Sequence, residues 1–164
     1  MMNGAFLLER GETRTKRALN IFGDLVSVLL SGADTSGGFC VMTVQTAPKS
    51  GPPLHRHNRE DEFFHVLEGE YLFEVDGEHI YAGPGCSVYA PKTSVHTFQN
   101  VGSAPGRMMV IAEPAGMDEF FGELAEAKDS TGAPDMSAIG RAFERHGLEL
   151  MGPPLAARGS NAAA

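Results

Sequence analysis

Three histidines and one glutamate, His55, His57, Glu62 and His96, stand where they could act together. His55 and His57 are two residues apart, so on a strand both imidazoles leave the same face, close enough to share one ion. Glu62 opens the next apolar stretch, and a short turn through residues 58–61 can bring its carboxylate back over that face. His96 arrives from a strand well downstream. Three imidazoles and a carboxylate form a borderline-to-hard donor set that suits one divalent transition metal, Fe, Mn, Ni, Co, Cu or Zn. Mg and Ca prefer shells made wholly of oxygen. Glu62 is also a candidate acceptor of a substrate proton.

The elements that must position these residues read as an all-β chain. One domain is expected from 164 residues, and 20 glycines with 10 prolines suit short strands joined by turns better than long helices. Strand-like runs separated by turns follow one another through residues 35–115, as in a sandwich or barrel. Tyr71, Phe73 and Val75 alternate with Glu70, Leu72 and Glu74, which predicts a strand with one buried face, and Asp76-Gly77 then supplies a hairpin turn. Residues 1–34 read as an N-terminal arm with an apolar run at 25–30. Two amphipathic helices are expected within 116–150, the second over 136–146 and closed by Gly147. Residues 151–164 read as a flexible tail. A net charge of −8 without a Lys/Arg run argues against nucleic acid and anionic membrane as partners. The start of the chain lacks a signal-peptide apolar region, and a cytoplasmic location is expected.

The spacing of the candidate ligands brings a family into view. His55-Arg56-His57, four residues, Glu62, six residues and Gly69 resemble the first motif of the cupin family. Gly85, five residues, Pro91-Lys92-Thr93, two residues, His96, three residues and Asn100 resemble the second, with Thr93 where that motif has glycine. The resemblance implies a double-stranded β-helix, a jelly-roll barrel, with His55, His57, Glu62 and His96 converging on one metal in its mouth. The flanking segments resemble the single-domain quercetin 2,3-dioxygenase-like branch. That implies a dioxygenase cleaving a flavonol-like or other enol-bearing aromatic, with O₂ as co-substrate and Glu62 as ligand and proton acceptor. A non-oxidative isomerase or decarboxylase, and a non-catalytic metal or small-molecule binder, are the alternatives on the same scaffold.

Phe64 lies two residues after Glu62 and Phe98 two after His96, so both should point inward beside the ion. With Tyr71 and Phe73 they are candidate substrate-binding walls as well as candidate barrel filling. His65, three residues from Glu62, falls on the opposite face and reads as structural, and His79 and His146 need no function. Glu60 and Asp61 read as a solvated acidic loop, with Glu60 an alternative ligand. Cys40 and Cys86 read as buried free thiols on strands. Residues 62–68 carry apolar side chains on both faces, so the outer face needs a cover, and a homodimer is expected.

Overall fold

Alternation of buried and open positions runs through the longer strands of one sheet of the computed structural model, which describes residues 4–158. One antiparallel sheet has the order β1 (Leu19–Ile21), β2 (Asp24–Leu30), β3 (Cys40–Thr46), β10 (Gly106–Glu113), β5 (Asp61–Glu68) and β8 (Ser87–Ala90). The other runs β11 (Leu148–Gly152), β4 (Leu54–His57), β9 (Val95–Asn100), β6 (Tyr71–Val75) and β7 (Glu78–Ala82). The two sheets enclose one core, to which Met42, Val44, Phe64, Val66, Tyr71, Phe73, Met108 and Val110 contribute. This is the two-sheet β architecture expected from the motifs. Gly106 is required where the sheets meet, because a Cβ there would lie 2.5 Å from the Tyr71 hydroxyl.

Several elements fall where periodicity put them. The Asp76-Gly77 turn joins β6 to β7, with φ of 50° and 84° at its two residues. Helix α2 (Met136–His146) begins with the Asp135 side chain accepting from the Ser137 and Ala138 amides and ends at a left-handed Gly147. Helix α1 (Met117–Glu126) packs against it, with the Phe120 and Phe143 rings 5.1 Å apart. The apolar run of the arm is strand β2.

Other expectations need correction. Leu72 and Glu74 are buried, not open to solvent, and the chain beyond β11 folds back to reach Glu74. There a turn of 3-10 helix (Leu155–Ala157) packs against β9, and Arg158 reaches Glu74 at 2.8 Å. The segment read as a flexible tail therefore holds part of β11, this turn and an ion pair; residues 159–164 lie outside the described residues. Cys40 is buried at the start of β3, but Cys86 is exposed, since it sits in the turn before β8 with its amide bonded to the Gly83 carbonyl. Among the described residues no helix is long and apolar enough to cross a membrane.

Candidate metal centre

Strand β4 carries two of the four candidate ligands and is held on both sides. Its His55 pairs directly across from His96 of β9, and β11 runs along its other edge, with Leu148 opposite His57 and Leu150 opposite His55. Glu62 comes from the facing sheet, where its neighbours on β8 and β10 are Ala90 and Ala112, two small buried residues that leave its carboxylate room. The corner leading to His96 is tied to β4 by the Thr93 amide, which donates to the His57 carbonyl at 2.7 Å. Thr93 adopts φ of 70°, the left-handed conformation that glycine takes most easily, so the corner keeps its shape at some cost in strain. Asp61 steadies the same corner by accepting from the Lys92 amide at 2.8 Å.

The four side chains meet. One ligand atom from each of His55, His57, Glu62 and His96 lies within 4.8 Å of all the others. Glu62 Oε2 is 2.9 Å from His96 Nε2 and 3.3 Å from His57 Nε2. The Nδ1 atoms of His55 and His96 point away from the cluster, to the carbonyls of Pro53 at 2.8 Å and Ser94 at 3.2 Å. A carbonyl can only accept, so Nδ1 carries the proton in both rings and each Nε2 is turned inward. His57 Nε2 faces the cluster as well, yet neither of its nitrogens has a hydrogen-bond partner of good geometry, although the residue is buried. A buried imidazole nitrogen without a partner, His57 Nε2, facing the same cluster as the Nε2 atoms of His55 and His96, is what a metal ion would satisfy, and the donor set fits one.

The electrostatics agree. Burial and the neighbouring imidazoles hold His55 down at about 3, so it stays neutral and ready to donate a lone pair. Burial works against a proton on His57 too, but the Glu62 and Glu60 carboxylates outweigh it and raise this imidazole above its ordinary 6.5. Burial likewise opposes the charge on Glu62, and His57, His96 and His55 together overcome it and draw that carboxyl down to about 2. Without a metal, the proton favoured on His57 balances the carboxylate; with one, the ion would take over that charge balance.

Directly beneath this layer lies an aromatic one. Phe64 is 6.2 Å from the His96 ring and 6.0 Å from Phe98, and Phe73 packs 5.3 Å from Phe64 and 5.8 Å from Phe98. Tyr71 adjoins Phe73 and Phe98 on the far side, at 6.2 and 5.9 Å. All four rings are buried. Phe64 thus borders the ligands, whereas Tyr71 and Phe73 back the layer from below. His65 lies on the outer face with Nδ1 2.9 Å from the Ser87 hydroxyl, apart from the cluster. His79 and His146 pair with Glu74 and Glu123 elsewhere. Glu60 departs from the sequence reading: it is buried, not solvated, with Oε2 3.4 Å from His57 Nδ1, and it is not among the four clustered ligands. Its three-residue offset from His57, across a turn, is the one sequence signal that it faces that ring.

Residues 42–112 match the family model described as a cupin domain. Among solved structures the chain is similar to KdgF from Halomonas sp., with a TM-score of 0.61 and 17% identity over 71% of this chain and 98% of that one. It is similar to a predicted oxalate decarboxylase from Thermotoga maritima, with a TM-score of 0.54 and 21% identity over 56% of this chain and 80% of that one. An oxalate oxidase gives a TM-score of 0.50 and 26% identity over 57% of this chain and 53% of that one. The first two likenesses speak to the fold alone. No curated protein sequence matches the chain.

Proposed function

We propose that the chain, whose residues 42–112 match a cupin-domain model, is a metal-dependent oxygenase of the quercetin dioxygenase-like kind, acting on a small enol-bearing aromatic. The observation that carries this reading is the aromatic layer set against a three-histidine, one-carboxylate cluster. Among the described residues no Lys or Arg is buried to pair with an anionic substrate. His55, His57, Glu62 and His96 would hold the ion. A divalent transition metal bound there would supply Lewis-acid and redox chemistry and would lower the pKa of a hydroxyl oxygen placed beside it. Phe64 and Phe98 would orient the flat ring by stacking or edge contacts and exclude water from it. Glu62, kept ionised by the imidazoles around it, would accept the hydroxyl proton at Oε2.

The test is oxygen uptake by metal-loaded protein with a panel of flavonols. Uptake above the rate of the free metal is expected, and its absence with iron, manganese, nickel, cobalt and copper would overturn flavonol oxygenation. Glu62→Gln, normalised to bound metal, is expected to lower turnover by about 10²–10⁴-fold. The likeness to an oxalate oxidase favours a second reading, a metal centre acting on a small acid. Consumption of oxalate in the same assay would select it, and turnover that persists without oxygen would select a decarboxylase or isomerase.

We also propose that a second copy covers the outer face of the larger sheet. Its register lines up Leu30, Val41, Ile111, Phe63 and Tyr89 in one row across five strands, with Phe63 37% and Tyr89 56% exposed. Light scattering at micromolar concentration is expected to give twice the chain mass, and a strictly monomeric mass would overturn the dimer.

A further inference from the structure

The three imidazoles of the cluster are not oriented alike. His55 and His96 each turn Nδ1 to the backbone carbonyl two residues before them, Pro53 and Ser94. His57 has no such carbonyl. Its Nδ1 faces the carboxylate of Glu60, whose Oε2 lies 3.4 Å away; the two atoms are not yet in hydrogen-bond geometry, and neither has a partner elsewhere. Glu60 is only 3% exposed, which is costly for a carboxylate on a turn that could point outward. The fold makes room for it: a Cβ on Gly116, at the start of α1, would lie 3.1 Å from Glu60 Oε1, so a side chain there would crowd the carboxylate. The turn itself is tied down on either side of Glu60, by the Asn58 amide donating to the Gly147 carbonyl and by Asp61 accepting from Lys92.

We infer that Glu60 is a positioning residue of the metal centre, accepting from His57 Nδ1–H so that Nε2 is presented to the ion as a strengthened donor. A neutral imidazole carries one N–H, and the group opposite Nδ1 decides which nitrogen keeps it. A carboxylate in that place both selects the Nδ1–H form and increases the electron density that Nε2 offers, more than the carbonyls behind His55 and His96 can. His57 is therefore the strongest of the three nitrogen donors, and its strength comes from a residue that does not touch the ion. This inference rests on the four-ligand reading of the site.

The experiment titrates Co(II) into the full chain against a competing chelator and records the visible absorption of the bound ion, for wild type, Glu60→Leu and Glu60→Gln. Loss of an outer partner of this kind costs about 10–100-fold in metal affinity. Glu60→Leu is expected to weaken Co(II) by that factor and to shift its absorption bands. Glu60→Gln keeps an acceptor oxygen without the charge, and is expected to recover part of the affinity with bands between the two. Wild-type affinity and bands in Glu60→Leu overturn the inference; if that variant does not fold, the same result in Glu60→Gln does so. A lowered melting temperature with affinity and bands intact assigns Glu60 to packing alone and also overturns it. Wild-type protein that takes up no Co(II) overturns the four-ligand reading, and the inference with it.

Discussion

Strand β9 crosses the interior from one polar layer to another, and the two are built on opposite terms. His96, Phe98 and Asn100 all face inward, so the histidine and the asparagine lie about 13 Å apart at roughly 3.3 Å per residue, with the aromatic layer between them. At the Asn100 end the polar demand of that side chain is met within the chain. Its amide donates to the Thr46 and Ala104 carbonyls at 3.1 and 2.9 Å, and its oxygen accepts from the Gly102 amide at 3.0 Å. The Tyr71 and Thr46 hydroxyls beside it lack partners, but these are neutral groups whose burial costs far less than that of ionisable ones. At the His96 end, four ionisable side chains converge while His57 Nε2, turned to the cluster, goes unanswered. One layer is finished by folding. The other is finished only by something the chain does not supply.

The contrast can be broken most sharply at His96. His96→Ala is expected to take metal content, measured by elemental analysis, from near one ion per chain to near none while the fold persists; equal occupancy in the two proteins would remove the four-ligand site. Phe73→Ala attacks the layer between and should cost about 3–5 kcal/mol by chemical denaturation, with metal content retained in the folded protein. Asn100→Ala strands buried backbone groups and should cost about 1–3 kcal/mol without altering metal affinity. A fall in affinity there would mean that the two layers are coupled.

Acid and base sharpen the comparison further. In metal-free protein, the raised His57 contributes stability that is fully present below 6.5 and lost as pH rises through its folded value. The lowered Glu62 contributes stability that is present above 4.5 and lost as pH falls through about 2. Both contributions are at their greatest between 4.5 and 6.5, but His55, held near 3, costs stability as pH falls below 6.5, so calorimetry with a chelator present should show the two histidines opposing one another in that window. Metal-loaded protein should instead lose stability as pH falls toward that window, because protons on His57 compete with the ion, while His55, held near 3, does not compete there. The smallest effect is expected at the corner. Thr93→Gly relieves a left-handed cost of about 1–2 kcal/mol and gives back about half in chain entropy, for a net gain near 1 kcal/mol or a rise of about 2–4 °C in Tm.

How much of this could be read in advance depends on how far each residue's environment lies from it along the chain. The ligand pair His55 and His57 is legible because a period of two is a local property, and so are the Asp76-Gly77 turn and helix α2 with its Gly147 stop. Glu60 is not, because whether a turn residue points in or out depends on what waits inside, here the His57 ring and the space left by Gly116. Leu72 and Glu74 read as solvent-facing because their cover arrives from far away: Arg158, which bonds Glu74, is 84 residues distant. Strand β11 is hidden for the same reason. Its Glu149 answers Arg56 and Asn58 across separations of 93 and 91 residues, and nothing in the five residues LELMG announces that partner.

That last separation bears on the order in which the molecule comes together. Strand β4, which brings two imidazoles to the cluster, has no neighbour close in sequence: one edge pairs with β9 and the other with β11. Closing such long loops costs entropy before any contact repays it, so hairpins such as β6–β7 form sooner. By that ordering the strand carrying His55 and His57 is pinned late, and the early, partly collapsed chain offers a passing ion that local pair instead of all four ligands. Metal selection would thereby be deferred to a nearly finished barrel, where geometry, and not the first encounter, would decide what is kept.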